Sequence, residues 1–195
     1  MPLLKAKIFE KYLALLFILL LTTFLQALFF IGYTIHPSDE STILRNSYLV
    51  LKNEFLSLLK QYRNVPKDGL YEPYEAFRFR PLMLLPIALF WSLFGINDIT
   101  TVLWPMLCFY GTIIVTYFLG RKLFNHKVGI IAAFLISIFP LHLVYSTRVS
   151  IDTPLVFFMG LSVLFFLKGE DELNKKKSEI YFFFFLVFSC FLLIL

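Results

Sequence analysis

Three short motifs contain the side chains of this chain that could carry chemistry. His-Pro-Ser-Asp-Glu at 36–40 follows one apolar run, and Arg-Val-Ser-Ile-Asp-Thr-Pro at 148–154 lies between two others. Phe-Arg-Phe-Arg-Pro at 77–81 precedes a shorter apolar segment. Carboxylates accept protons from hydroxyl groups, and guanidinium groups bind phosphates through two parallel hydrogen bonds. The residue types therefore predict acid–base chemistry on a phosphate-bearing lipid.

Each motif also has a purely structural interpretation. Ser38 is a suitable helix N-cap, and Asp39 and Glu40 would then favour the positive end of the helix dipole. Asp152 either caps the helix that starts at Thr153 or faces a water-filled cavity. Arginines beside a bilayer also bind the phosphates of ordinary lipids without a specific site. The residue types alone leave both interpretations open.

The composition shows what kind of protein must position these motifs. Of the 195 residues, 59% are hydrophobic and 16% are charged, and the mean hydropathy is +0.78. A soluble domain is about 45–50% apolar and about 25% charged. These values exclude a soluble enzyme, a nucleic-acid-binding domain and a disordered tail. The net charge of +5 comes from basic clusters between apolar runs, as in a multi-span membrane protein, so no nucleic-acid partner is expected.

The apolar runs predict an all-α protein, a polytopic bundle of transmembrane helices in a single domain. Five spans are predicted, at about 12–33, 99–119, 128–147, 149–167 and 180–195. Residues 82–96 are also apolar but include Pro86, and they are fewer than the roughly 17–25 residues that a span needs. We therefore expect an extracytoplasmic loop over 34–98 that contains surface helices.

One surface helix is predicted soon after the first span. Polar side chains separate apolar residues that recur every three or four positions, at Leu44, Tyr48, Leu51, Phe55, Leu58 and Tyr62. This periodicity is typical of an amphipathic helix that lies along the membrane surface.

The basic residues predict the orientation of the bundle. If 82–96 does not cross, one side of the membrane holds the basic residues near 5–11, 121–127 and 168–177, which are ten of the 18 in the chain. The positive-inside rule then places the N-terminus in the cytoplasm and both acidic motifs on the outer face of the cell (inner) membrane. The alternative, with 82–96 crossing and the N-terminus outside, also gathers basic residues inside, but it translocates all three N-terminal lysines.

The remaining polar residues predict no comparable chemistry. The charged run at 169–179 is typical of a solvated loop, and no glycine-rich phosphate loop is present. We expect His126 to be a loop residue and His142 to be a hydrogen-bonded residue within the membrane. Cys108 and Cys190 lie inside apolar runs and form no disulfide or metal pattern.

The order of several motifs resembles the N-terminal part of a glycosyltransferase of the glycosyltransferase-C superfamily. The resemblance is closest to the protein O-mannosyltransferase and aminoarabinose-transferase type, glycosyltransferase family 39. The motifs are Asp-Glu at 39–40 after the first span, Arg-Pro at 80–81 before a segment ending Leu-Phe-Gly at 93–95, Tyr-Phe-Leu-Gly-Arg-Lys-Leu-Phe at 117–124, and Tyr-Ser-Thr-Arg at 145–148 followed by Asp152.

This resemblance implies an enzyme that transfers a sugar, with inversion, from a polyprenyl-phosphate donor to an acceptor hydroxyl on the outer face. It implies that Asp39 is the general base and that Glu40 and Asp152 orient the acceptor. It also implies that the lipid phosphate is bound by arginines, with Arg78, Arg80 and Arg148 as the candidates. A divalent metal, with Asp39 and Asp152 as candidate ligands, is the one cofactor that it suggests.

The expected partners are the lipid-linked sugar donor and membrane lipids, and the sequence does not identify the acceptor. Members of the family carry more spans, so the chain is expected to be an N-terminal fragment that is inactive by itself. The alternative function is a non-catalytic polytopic subunit or scaffold. A transporter fits less well, because no charged residue lies in the middle of a predicted span.

Overall fold

A computed structural model describes residues 2–30, 39–52, 80–172 and 175–194. Within these ranges all elements are α-helices, so the predicted all-α membrane bundle is confirmed. The helices are α1 (Pro2–Phe30), α2 (Asp39–Leu51), α3 (Pro81–Phe94), α4 (Asp98–Leu123), α5 (His126–Ser137), α6 (Pro140–Ser146), α7 (Asp152–Asp171) and α8 (Lys175–Ile194).

The long helices follow the predicted apolar runs closely. By length and composition, α4 and α7 are each able to cross a membrane, and α5 and α6 together make a third candidate. A bend of 64° separates α5 from α6 inside the run predicted as one span, 128–147. Pro140 opens α6 and has no N–H group to continue the hydrogen-bond ladder of α5. The number of crossings, like the single domain, stays a prediction.

Helix α3 is the short apolar segment singled out in the sequence. It has 14 residues, so at 1.5 Å per residue it is about 21 Å long, against about 30 Å for the hydrocarbon core. Pro81 occupies its first turn, where a missing N–H group has no cost, and Pro86 lies inside it. One face is buried, through Met83, Leu84, Ile87 and Trp91, and this face packs on α2 and α4.

Helix α2 is the described part of the predicted surface helix, and residues 53–79 lie outside the described residues. Its buried side chains are Ile43, Asn46 and Ser47, while Tyr48 is 44% exposed. The buried face is therefore displaced from the apolar stripe that the sequence predicts. The displacement arises because α3 covers one side of α2. That side packs on protein, and the other side stays exposed.

Parallel packing of α4 and α7 gives the bundle two ends. At one end α4 finishes and α7 finishes, and the ammonium group of Lys122 pairs with the carboxylate of Asp171. At the other end α4 begins, α6 finishes and α7 begins at Asp152. We call these the Lys122 end and the Asp152 end. Helices α2 and α3 pack at the Asp152 end, in a cluster that includes Val102 and Val149.

Candidate functional site

The turn between α6 and α7 brings Arg148 and Asp152 to the Asp152 end. The chain leaves α6 through bonds from the N–H groups of Thr147 and Arg148 to carbonyl oxygens one turn back. The Ser150 hydroxyl donates to the carboxylate of Asp152 and accepts a bond of 3.2 Å from the backbone N–H of the same residue. This Ser150–Asp152 turn closes on itself and starts α7.

Asp152 is not the N-cap of α7. The N-cap position of α7 is Ile151, which has an apolar side chain, and no side chain caps the helix. Asp152 instead lies in the first turn of the helix, with an exposed side chain that lines a cavity. Capping therefore does not account for this carboxylate.

Arg80 occupies the residue before α3. Its side chain is half-buried, and its carbonyl oxygen accepts the N–H groups of Met83 and Leu84 at 2.9 and 3.0 Å. No side-chain cap closes this helix start. The Arg80 guanidinium is therefore not used in capping, and Pro81 sets the direction in which the chain enters α3.

One buried cluster gathers the backbone around the predicted site residues. Ile43, Met83 and Val149 all belong to it, and each is at most 2% exposed. Each lies within four residues of a predicted site residue. Ile43 follows Asp39, Met83 follows Arg80, and Val149 lies between Arg148 and Asp152. The packing of α2 and α3 on α4 and on the α6–α7 turn thus brings the start of α2, Arg80 and the 148–152 turn to the same end of the bundle.

Three predicted site residues cannot be followed to their side chains. Asp39 and Glu40 form the first turn of α2, but their side chains lie outside the described part of the chain, as does the whole of Arg78. The predicted roles of these residues stay predictions.

A cavity of about 390 Å³ opens beside Asp152. This volume falls within the range of about 300–1,000 Å³ that is usual for small-molecule sites. Most of its wall is apolar, and its polar side chains are His142, Tyr145 and Asp152. The full set of lining residues is Ile136, Phe139, Leu141, His142, Tyr145, Asp152 and Val156.

Buried polar atoms without a partner also concentrate toward this end. Within the described residues, four such atoms make no hydrogen bond: Gln26 Oε1, Trp104 Nε1, His142 Nε2 and Thr153 Oγ1. Most buried polar atoms in proteins are paired, since an unpaired one costs about 1–3 kcal/mol. The Gln26 amide nitrogen donates to Ser146 Oγ at 2.9 Å, one helical turn from His142, which ties α1 to the same region.

His142 differs from what the sequence predicts. We expected a hydrogen-bonded histidine within the membrane, but its Nε2 has no partner in the described part of the protein. Its ring packs against Phe109, with 4.6 Å between ring centroids. His126, expected in a loop, is the first residue of α5 and lies 3.0 Å from the Tyr117 hydroxyl through Nδ1.

The predicted metal ligands are Asp39 and Asp152. Among the described residues no group of three His, Cys, Asp or Glu side chains converges as a metal site. Asp152 would need ligands from α2, and the Asp39 carboxylate lies outside the described residues. The metal stays a prediction.

Sequence reasoning missed two of the polar side chains in the cavity wall. His142 and Tyr145 lie three residues apart on α6, so they project from neighbouring positions of one helix. The sequence signal nearest to them is Pro140, which stands at the bend where α6 turns away from α5 beside the cavity.

Comparison with known proteins identifies the family. A family model described as dolichyl-phosphate-mannose-protein mannosyltransferase matches residues 79–194, which include α3 to α8. No curated protein and no solved structure matches the chain. The family match covers more than half of the sequence, on the same region that forms the helical bundle. The chain is thus a multi-pass membrane protein that belongs to the dolichyl-phosphate-mannose-protein mannosyltransferase family, a family of membrane glycosyltransferases.

Proposed function

We propose that this protein transfers a sugar from a polyprenyl-phosphate donor to an acceptor hydroxyl on the extracytoplasmic face of the cell membrane. The observation that carries the proposal is the cluster of Ile43, Met83 and Val149, which brings α2, the start of α3 and the α6–α7 turn together. These are the segments that hold the acidic residues and the arginines.

In the proposed reaction the acceptor oxygen attacks the anomeric carbon from the face opposite the phosphate. The bond from that carbon to the phosphate oxygen breaks as the new bond forms, so the configuration inverts. Asp39 takes the proton of the acceptor hydroxyl, while Glu40 and Asp152 orient the acceptor. The electron pair leaves with the polyprenyl phosphate.

The leaving phosphate needs positive partners as its charge grows. Arg80 and Arg148 have half-buried side chains at the Asp152 end, and Arg78 is close to Arg80 in the sequence. A guanidinium group binds two phosphate oxygens at once and stays charged at any physiological pH. We assign phosphate binding to these arginines, and the stabilisation of the departing charge lowers the barrier.

The proposed orientation follows from charge. The Lys122 end carries the basic clusters near 121–127 and 168–177, which the positive-inside rule places in the cytoplasm. The N-terminus then lies on the same side, and Asp152 faces out.

Replacing the proposed base tests the reaction. Asp39→Asn keeps the shape of the side chain and its capacity to cap a helix, but an amide does not accept a proton at neutral pH. We expect transfer from polyprenyl-phosphate sugars in membranes to fall by about 10²–10⁴-fold at equal expression. Lys177→Gln, an exposed charge at the Lys122 end, is the control and should retain activity. Full activity in Asp39→Asn would favour the non-catalytic subunit.

The orientation has a separate test. In a protein whose two native cysteines are replaced, we expect Asp98→Cys to react with a membrane-impermeant maleimide added outside intact cells. Lys177→Cys should react only after the membrane is permeabilised. Both positions are exposed, so the side of the membrane is what differs between them. Labelling of Lys177→Cys from outside would contradict the orientation without bearing on the family.

A further inference from the structure

The cavity beside Asp152 exists because the chain bends between α5 and α6. The N–H of Phe139 reaches the carbonyl of Ile136 at 3.4 Å, and Pro140 then starts a new helix at 64° to the first. Ile136 and Phe139 before the break and His142 after it form one wall. Val156 and Asp152 on α7 form the other. The direction of the backbone at the bend therefore creates the cavity, and the rotamer of one side chain does not.

The apolar part of the cavity meets the outer surface of the bundle. Phe139 and Leu141 are 52% and 57% exposed, and both line the cavity. In a membrane bundle, exposed leucine and phenylalanine side chains on the helices contact lipid chains rather than water. A ligand that enters here comes from the bilayer, so it needs an apolar chain.

The polar part of the cavity selects the head group. The imidazole of His142 is held by the ring of Phe109, and its Nε2 is buried without a partner among the described residues. A ligand hydroxyl would supply that partner. Beside it, the Tyr145 hydroxyl can donate or accept a hydrogen bond, and the Asp152 carboxylate can accept one. The described wall contains the Asp152 carboxylate and no lysine or arginine, so a phosphate would be repelled here.

We propose that this cavity binds a lipid alcohol, an uncharged amphiphile with an apolar chain, and that His142 recognises its hydroxyl group. The cavity shares Asp152 with the proposed transfer site, but its lining includes none of the arginines to which phosphate binding is assigned. The proposal concerns binding alone, so a binding measurement tests it without an assay of sugar transfer.

Photolabelling of the full chain in lipid nanodiscs tests the apolar part. The probe is an isoprenoid alcohol with a diazirine in its chain, and mass spectrometry locates the labelled peptide. We expect labels on the segments around Ile136 and Val156. Val156→Trp fills the cavity and should lower labelling about tenfold, whereas Val163→Trp should not. Val163 is the matched control, because it lies two turns further along α7 with similar exposure, 43% against 39%.

Competition experiments test the head group. The unlabelled alcohol should compete about 2–10-fold better than its methyl ether, which cannot donate a hydrogen bond to Nε2, and at least about tenfold better than its monophosphate. His142→Phe keeps an aromatic ring against Phe109 and should abolish the preference for the alcohol over the ether, while His142→Gln should restore part of it. Equal labelling of the two tryptophan variants would overturn the site, and equal competition by the monophosphate would overturn its selectivity.

Discussion

At the Lys122 end the helices touch closely, whereas at the Asp152 end they leave space and unpaired polar atoms. A Cβ atom added at Gly129 would lie 2.6 Å from the Tyr117 carbonyl oxygen and 2.9 Å from the Arg121 nitrogen, so α4 and α5 meet backbone to backbone there. The pair of Lys122 and Asp171 joins α4 to α7 at the same end. The Asp152 end has instead the 390 Å³ cavity, with His142 Nε2 and Thr153 Oγ1 unpaired within the described residues.

This difference indicates that the two ends of the bundle have different roles. Close packing and ion pairing hold helices in place, while a cavity and unpaired polar groups destabilise a fold unless a ligand completes them. Proteins keep such costly features where function requires them. We therefore assign stability mainly to the Lys122 end and ligand binding to the Asp152 end, and four predictions test this division.

The largest effect is expected from two aspartates at opposite ends of one helix. Asp152→Asn should reduce sugar transfer by about 10²-fold or more, since it removes a charge that orients the acceptor in the proposed site. Asp171→Asn makes the same chemical change at the far end of α7, on a side chain that is 73% exposed, and should change transfer less than about twofold. Initial rates in membranes at matched expression decide this. Equal losses in the two variants would break the division between the ends.

The next effect concerns stability at the Lys122 end. Gly129→Ala should lower the free energy of unfolding by about 1–3 kcal/mol, because its methyl group would overlap two backbone atoms of α4, the Tyr117 carbonyl oxygen and the Arg121 nitrogen. The matched control is Gly160→Ala on α7, whose Cβ would meet only side-chain atoms, with Val115 Cγ1 the nearest at 3.0 Å, and no backbone atom. Denaturant titration in micelles measures both. If Gly160→Ala is the more damaging variant, the Lys122 end is not the closely packed one.

A smaller effect is expected at Gln26, whose side chain is fully buried near the Asp152 end. Gln26→Met keeps the size of the side chain and removes the unpaired Oε1, while Ser146 still donates to the Leu143 carbonyl at 2.7 Å. We expect stability to stay the same or to rise by up to about 1 kcal/mol. The same titration gives the answer, and a clear loss of stability would mean that this amide is a structural element after all.

The smallest effect is expected from the ion pair. Lys122→Gln should lower the free energy of unfolding by no more than about 0.2–1 kcal/mol, because Asp171 is exposed and water already solvates it. The difference between wild type and variant should shrink further in high salt, as screening weakens the pair. A loss that persists in high salt would show that Lys122 acts through packing of its aliphatic stem.

Much of the fold could be predicted from local sequence. The apolar runs give the helices α4 and α7 nearly their full extent, because a run without charges forms a helix in a membrane whatever lies next to it. Asn97 and Asn125 cap α4 and α5 through bonds to the N–H groups three residues on, which is also a local effect. Pro81 similarly starts α3 at the position the sequence indicates.

Two similar prolines show where local prediction stops. Pro105 lies inside α4 and the helix continues past it, whereas at Pro140 the chain breaks and turns by 64°. Both remove one backbone donor, so composition does not separate them. The contacts around each proline do: Pro105 is buried in the packed part of α4, while Phe139 before Pro140 stays 52% exposed and leaves room for a bend.

By itself the sequence determined the class of protein, the positions of the helices and the motifs that indicate the family. Each of these depends on hydrophobicity, caps and short spacings along the chain. Only the tertiary structure decided that Ile43, Met83 and Val149 share one cluster, that α2 buries Asn46 and Ser47, and that His142 lines a cavity without a partner among the described residues. The reason is physical. Which helix faces which, and which polar atoms find partners, depends on packing between segments far apart in the chain.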